Sequence, residues 1–549
     1  MRKTSNIKPI ISLATVFTLA VAVGIWVGRS SVSEKEEASV EHPTIALIQS
    51  KLGELLVHIK QGYVDETDLQ ALSEKIIGKM LAELDPYTTY ISAKELATQN
   101  TELQSELEGI GVDFVMLQGT AYIVAPISGG PSEAAGIHAG DRIIKLDDEV
   151  VAGQGFKSID LIKRLRGPKG TKVKLTIERR GQADLLNVVV KRDAVPFYSV
   201  NASYMLDEVT GYIKISRFTT NTFKEFKTAF SSLQKQGMSK LILDLRNNPG
   251  GHVEKATAVA NRMLDKGQMI VQTKGQTSKH NIKEYAKGED GFDNHPVIVL
   301  INEGSASGAE IIAGALQDND RALVVGRRSF GKGLVQAPIQ LQDGSQLRLT
   351  VARYYTPSGR LIQRSHRENA SDYQADLIER YQQGEYFRSE NIQFDDASKF
   401  QTSRGRIVYG GGGITPDYLV PPDDTTNTRY LKAIMPVLRQ YASEYAEQHR
   451  EKLTAMDYED YRKHFKVTDV MLSQLYVHTE AAGIPSEEKV LRTAKPRLQL
   501  YLKAHIANHI WHESGFYPIY QQEDDIVQKA LQLFDEAEAL IKAPAIEAE

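Results

Sequence analysis

The sequence predicts a multidomain α/β fold, and three observations carry that expectation. At 549 residues the chain is too long for one hydrophobic core. With 41% hydrophobic and 25% charged residues it has the composition of an ordinary globular protein. Its hydrophobic period also changes along the chain. It is helical over 43–97, becomes short strands with glycine turns over 98–194, alternates strand and helix from 195 to about 365 within a segment that runs to 421, and is helical again over 424–549.

Taken in order, Arg2, Lys3 and Lys8 precede an apolar stretch from Ile10 to Val27, and the polar run Ser30 to Glu37 follows it. Basic residues before an apolar segment read as an export signal over 1–30, with the N-terminus left in the cytoplasm. The stretch is long enough to span a bilayer, so it serves as an anchor in the inner membrane. Alternatively, it is a signal cleaved near Ala20-Val21-Ala22. Either reading places the protein in the periplasm or cell envelope. The chain has no cysteine, which excludes disulfides, thiol nucleophiles and thiolate metal sites. A net charge of -4 supplies no electrostatic footprint for nucleic acid. No metal ion or cofactor is expected.

Ile45, Ile48, Leu52, Leu55, Leu56 and Ile59, then Leu69, Leu72, Ile76, Ile77, Met80, Leu81 and Leu84, recur at helical spacing. These two amphipathic helices bury their stripes on their own chain or in a homodimer. In the next segment Gly109-Ile110-Gly111-Val112-Asp113-Phe114 is followed by Gly129-Gly130-Pro131, Gly140-Asp141-Arg142 and the alternating strand Lys172 to Ile177. This order resembles a PDZ domain, whose loop offers backbone N–H groups to a terminal carboxylate while the peptide adds a strand to the sheet edge. Gly109, Ile110, Gly111 and Val112 match that loop.

In the third segment Leu241 to Leu245 reads as a strand running into Arg246-Asn247-Asn248-Pro249-Gly250-Gly251, a turn able to leave N–H groups open for an anion. Pro296 to Ile301 reads as a buried strand and Ala309 to Gln317 as a helix. Between them lies Gly304-Ser305-Ala306-Ser307-Gly308. Ser307 therefore sits where free N–H groups and the positive end of a helix dipole gather. A serine hydroxyl needs a base, and a lysine serves when desolvation lowers its pKa. Lys332, in Phe330-Gly331-Lys332-Gly333, is the candidate. If Lys332 to Leu341 is extended, Lys332, Leu334 and Gln336 share a face, so Gln336 could orient the lysine.

Two other readings compete. Gly326 to Gly333 nearly matches a phosphate-binding loop, but Gly333 stands where that loop needs Ser or Thr, and strand-like sequence follows. His252 and His295 are the nearest histidines for a Ser-His-Asp triad, and neither has a triad context.

Together these motifs, with Arg353-Tyr354-Tyr355-Thr356-Pro357-Ser358-Gly359, resemble the C-terminal processing peptidases, or tail-specific proteases, over roughly residues 43–421. The resemblance implies a crotonase-like α/β serine protease core. In it Ser307 is the nucleophile, Lys332 the general base and Gln336 its support. The family motif often reads Ser-Ala-Ser-Ala-Ser-Glu where this chain has Gly308-Ala309 before Glu310, which leaves Ser305 as a minor alternative nucleophile.

N–H groups near Gly250, Gly251 and Gly308 would receive the oxyanion, each such donor contributing about 3–4 kcal/mol to the barrier reduction. The expected function is an exported serine endopeptidase that cleaves C-terminal tails of protein or peptide substrates; an adaptor or activating partner is the expected accessory, and no nucleic acid is expected. The alternative is a catalytically inactive PDZ scaffold or regulator. Within the core, 366–405 reads as an insertion, either a substrate-facing flap or a passive excursion. Ile526, Ala530, Leu533, Phe534, Ala537 and Ile541 predict helices beyond 424 that pack on the core or on a second subunit.

Overall fold

The computed structural model describes residues 43–99, 106–127, 129–153, 155–179, 181–288, 292, 294–364, 370–392, 398–423, 426–485 and 488–543. The candidate export segment 1–30, and residues 366–369 and 393–397 of the 366–405 insertion, lie outside them. Among the described residues no helix is long and apolar enough to cross a membrane. The chain divides into two compact units, Met1–Ile77 and Gly78–Glu549. The first contains helix α1 (Pro43–Gly62) and the start of helix α2 (Leu69–Ala82). Ile45, Ile48, Leu52 and Leu55 of α1 are exposed.

In the second unit a short strand, β1 (Thr89–Ile91), precedes a five-stranded antiparallel sheet. Its strands are β2 (Val112–Leu117), β3 (Thr120–Pro126), β4 (Arg142–Leu146), β5 (Lys172–Glu178) and β6 (Leu186–Lys191), paired in that order, with Glu149–Val150 added to β4. Helix α3 (Ser158–Leu165) closes the domain over a core that includes Ile110, Ile123, Ile143, Leu161, Leu165 and Val173. Strand β2 is at the sheet edge, where a PDZ ligand would add.

A larger sheet follows, ordered β7 (Val200–Met205), β8 (Thr210–Ile215), β9 (Lys240–Asp244), β10 (Val297–Ile301), β11 (Ala322–Gly326) and β14 (Tyr418–Leu419). All its pairings are parallel except β7 with β8. The unbroken apolar run of β10 is explained by burial on both faces. Val297, Val299 and Ile301 enter a core shared with helices α4 (Thr222–Lys235), α5 (Val253–Asn261) and α6 (Gly308–Asp318). Ile298 and Leu300 face a second core built with Ile526, Val527, Ala530 and Phe534.

Part of the C-terminal helical region thus covers the back of this larger sheet, as the spacing from Ile526 to Phe534 predicts. A second sheet pairs β12 (Leu334–Gln340) and β1 with β13 (Gln346–Tyr355). The rest of the C-terminal region is a helical cluster of α7 (Thr426–Gln448), α8 (Asp469–Ala481), α9 (Glu488–Tyr520) and shorter helices, with its own core around Leu438, Leu475 and Leu498.

Candidate active site

The parallel sheet brings the motifs together at the carboxyl ends of its strands, where open α/β sheets place their ligands. The turn after β9 carries Gly250, the turn after β10 carries Ser307, and the segment after β11 carries Lys332. Ser307 caps α6 and has φ 53° and ψ -111°. Positive φ is costly for a residue with a Cβ, about 1–3 kcal/mol, and marks a position held by its surroundings.

The main holder is Glu310, which is fully buried. Its Oε2 accepts the N–H groups of Ser307 and Lys332, each at 2.8 Å. Its Oε1 accepts the Gly331 N–H at 2.7 Å and the Ser329 hydroxyl at 2.6 Å. Burial pushes the Glu310 carboxyl above its usual range, and these four donors work in the opposite direction. One carboxylate therefore ties the Ser307 turn to the Lys332 segment. The sequence shows Glu310 inside the motif, but nothing in its spacing reveals this role.

Gly250 lies against the candidate nucleophile. A Cβ there would fall 2.7 Å from Ser307 Cβ and 3.0 Å from the Ala306 carbonyl oxygen, and its φ of +98° favours glycine. Its N–H, however, donates to Asn248 Oδ1 at 2.8 Å, so it is already engaged in this structure. Among the described residues the Gly251 and Gly308 N–H groups make no such bond, which leaves them as the open donors. A side chain at 308 would press on Ala256 and Phe218 at 3.1 Å, a local reason for glycine where the family often has alanine. Ser305 is fully buried; its hydroxyl donates to the Leu245 carbonyl at 2.8 Å and accepts the Asn302 N–H at 3.0 Å. That geometry makes it a support of the turn and removes it as an alternative nucleophile.

Lys332 differs from its expected setting. Among the described residues no hydrogen bond joins its Nζ to Ser307 Oγ or to Gln336; instead Nζ lies 4.5 Å from the centre of the Tyr87 ring. Burial pushes the ammonium pKa below the usual lysine range, Arg348 acts in the same direction, and Glu310 opposes both. Gln336 donates to the Tyr87 carbonyl, not to the lysine. The alternation from 332 to 336 fails because the register shifts between Val335 and Gln336. Gln336 thus reaches Lys332 only through Tyr87. Asp85 fixes Tyr87 in turn, accepting the Tyr87 N–H at 2.8 Å together with the Thr88 N–H and hydroxyl.

Beneath the site, Asp244 is fully buried between Arg246 (2.6 Å), Lys214 (3.5 Å) and the Tyr212 hydroxyl (2.5 Å), and Arg246 also pairs with Asp524 at 2.8 Å. This network stiffens the turn that carries Gly250. Lys332 is followed by strand β12, so no helix is present to complete a phosphate loop. His252 caps α5 and His295 packs on Phe292. Among the described residues no cluster of His, Asp or Glu has the arrangement of a metal site.

Gly109, Ile110, Gly111 and Val112 line a groove of about 270 Å³ between β2 and α3, with Phe114, Ile162 and Leu165 as its apolar wall. An antiparallel bridge between Gly109 and Arg166 turns the Ile110 N–H toward the Leu165 carbonyl, whereas among the described residues the Gly111 N–H has no backbone partner and is the open donor of the loop.

Residues 209–370 match peptidase family S41, and 109–190 match the PDZ domain family. The carboxy-terminal-processing protease of Bartonella bacilliformis is 38% identical over 318 residues, covering 57% of this chain and 72% of that protein. The carboxy-terminal processing protease CtpA of Bacillus subtilis is 36% identical over 364 residues, covering 66% and 76%. This chain belongs to the carboxy-terminal processing protease family. It is a serine-type peptidase with a PDZ domain and an S41 core. Among solved structures, a photosystem II D1 C-terminal processing protease aligns at 32% identity with a TM-score of 0.36, over 57% of this chain and 83% of that one. Residues 432–512 of the protease match a family of unknown function, DUF8443.

Proposed function

We propose that this protease is exported and cleaves the C-terminal tails of protein or peptide substrates with a Ser307/Lys332 dyad. The observation that carries the reading is the Glu310 carboxylate, which binds the backbone of both residues and fixes their segments side by side. In the reaction the Lys332 side chain leaves the Tyr87 ring and, as a neutral amine, takes the proton from Ser307 Oγ. The oxygen attacks the scissile carbonyl, and the N–H groups of Gly251 and Gly308 receive the oxyanion. The proton passes from Lys332 to the leaving amine as the peptide bond breaks. Water, deprotonated by the same lysine, then hydrolyses the acyl-enzyme. The open Gly111 N–H supports capture of a terminal carboxylate, and the apolar groove wall favours an apolar last residue.

The basic residues before the 10–27 segment support export to the cell envelope. The exposed apolar residues of α1 support a homodimer, and an adaptor would act by delivering or unmasking tails. A rival reading, an inactive PDZ scaffold, draws on the position of Lys332 over Tyr87.

The test is covalent labelling by a fluorophosphonate together with cleavage of an unstructured protein. Labelling and cleavage are expected in the wild type and absent in Ser307→Ala, and cleavage is lost in Lys332→Ala with the fold retained. Full cleavage by either variant would refute the dyad. A wild type that binds tails but neither labels nor cleaves them would favour the scaffold.

A further inference from the structure

The DUF8443 region has a place in the fold that points to a role. Strand β2 alternates its side chains: Val112, Phe114 and Met116 enter the PDZ core, while Leu117 packs into the C-terminal helical cluster. On the same outward face Asp113 pairs with Arg439 of α7. Ser443, one helical turn further along α7, donates to the Val124 carbonyl of β3 at 2.6 Å, and Gln118 donates to the Ala481 carbonyl of α8 at 2.7 Å. The helical cluster thus grips the PDZ domain by the outer face of β2 and β3 and leaves the ligand-accepting edge of β2 unpaired.

The Asp113–Arg439 pair is also a junction. Asp113 lines both the PDZ groove and a second cavity of about 770 Å³. That cavity has Lys432, Arg439 and Tyr501 of the helical cluster on one wall and Asn247 and Asn302 of the protease core at its floor. The floor belongs to the catalytic turns. Asn302 accepts the N–H groups of Asn247 at 2.8 Å and Gly304 at 3.1 Å, and its own N–H is held by Ser305, two residues before Ser307. Much of the charge in the cavity is paired internally, Arg246 with Asp524 and Arg497 with Asp423 among others. Aromatic side chains fill part of the wall, including Tyr501, Phe516 and Tyr520. Neutralised charge and aromatic faces suit a polypeptide of varied sequence better than a ligand of fixed charge.

We propose that the DUF8443 helical region is a substrate platform. It fixes the PDZ domain in the orientation that opens its groove into this cavity, and it walls the path taken by the extended polypeptide just upstream of the captured carboxylate. This rests on the reading of the PDZ groove and Ser307 given above, and it names the surface that a long substrate meets between them.

The test uses the full chain with Ser307→Ala, so that binding is read without turnover, and two fluorescent peptides ending in the same apolar residue. One is just long enough for the PDZ groove, and the other extends upstream by about a dozen residues. In fluorescence anisotropy the long peptide is expected to bind more tightly than the short one. Arg439→Glu, which sets like charge against Asp113, is expected to raise the Kd of the long peptide roughly fivefold or more while changing that of the short one little. The swap Asp113→Arg with Arg439→Asp restores it. Benzoylphenylalanine at position 501 is expected to crosslink to the long peptide only. Equal affinity for both peptides, or an equal loss for both in Arg439→Glu, would overturn the platform. Failure of the dyad would appear separately, as cleavage by the Ser307→Ala chain.

Discussion

Replacing Tyr87 by leucine separates what the ring does for Lys332 from what burial does. The ammonium lies 4.5 Å from the ring centre, within the range of a cation–π contact worth about 0.5–2 kcal/mol. That contact stabilises the charged lysine and so raises its pKa, against burial and Arg348, which lower it. At 1.36 kcal/mol per unit, loss of the ring should lower the lysine pKa by a further ~0.4–1.5 units. A base acts in its neutral form, so the acid limb of the kcat/KM profile should move to lower pH by that amount in Tyr87→Leu. Tyr87→Phe keeps the ring and should keep the limb.

Asp85 and Gln336 hold Tyr87 through its backbone N–H and carbonyl, so both bonds survive either substitution. The assay is the pH dependence of kcat/KM on a fluorogenic peptide, paired with NMR titration of lysines carrying a carbon-13 label. A purely structural role would depress activity at every pH without moving the limb. An unmoved limb in the leucine variant, or an equal shift in the phenylalanine variant, would refute the argument.

Two further outcomes follow from the geometry. Gly250→Ala sets a Cβ 2.7 Å from Ser307 Cβ at a φ of +98°, so Ser307 must shift; kcat on the same peptide should fall by about 10²-fold, whereas the same change at the open Gly129 should leave it intact. Asp244→Asn breaks a buried pair and should cost about 3–5 kcal/mol near neutral pH by denaturant unfolding. Burial alone would raise the Asp244 carboxyl, but Arg246 and Lys214 hold it well below the usual range. Its stabilisation is therefore present above the ordinary carboxylate pKa. The gap between wild type and variant should narrow as pH falls from about 4 toward the depressed value, and a gap that widened in acid would contradict the assignment.

How far the site could be read from sequence depended on whether each interaction was local. The setting of Ser307 was legible because strand, small-residue turn and helix are contiguous, and the turn itself places the serine at the start of α6. The PDZ domain was legible through its resemblance, since the glycine turns and the strand from Lys172 to Ile177 follow one another in the order that such domains share. The partner of Gln336 was not legible, because alternation assumes an unbroken strand and a register shift between Val335 and Gln336 accompanies its bond to the Tyr87 carbonyl in this structure. Gly250 was half legible. The glycine turn after β9 was readable, but its approach to Ser307 is tertiary, and Asn248, two residues earlier, takes the Gly250 N–H through a side-chain rotamer that no pattern encodes. Tyr87 and Arg439 were invisible, since each acts on a partner hundreds of residues away and neither belongs to a periodic stripe that would mark it.

The same distinction explains why this fold keeps the lysine away from the serine while holding their backbones together. Glu310 binds main-chain N–H groups, so it fixes where the two segments sit but leaves the Lys332 side chain free to choose a partner. In this structure the Tyr87 ring takes the ammonium, and a protonated lysine is better placed there than against a hydroxyl that it would have to deprotonate. Tyr87 is carried by the turn leading into β1, which pairs with β13, and β13 pairs in turn with β12, the strand just after Lys332. A displacement of β1 along β13 would move the ring relative to the lysine without disturbing Glu310. On the proposed dyad, the position of Tyr87 at the edge of the site therefore bears on Lys332 alone, because Glu310 holds the Ser307 turn by main-chain bonds that do not involve β1.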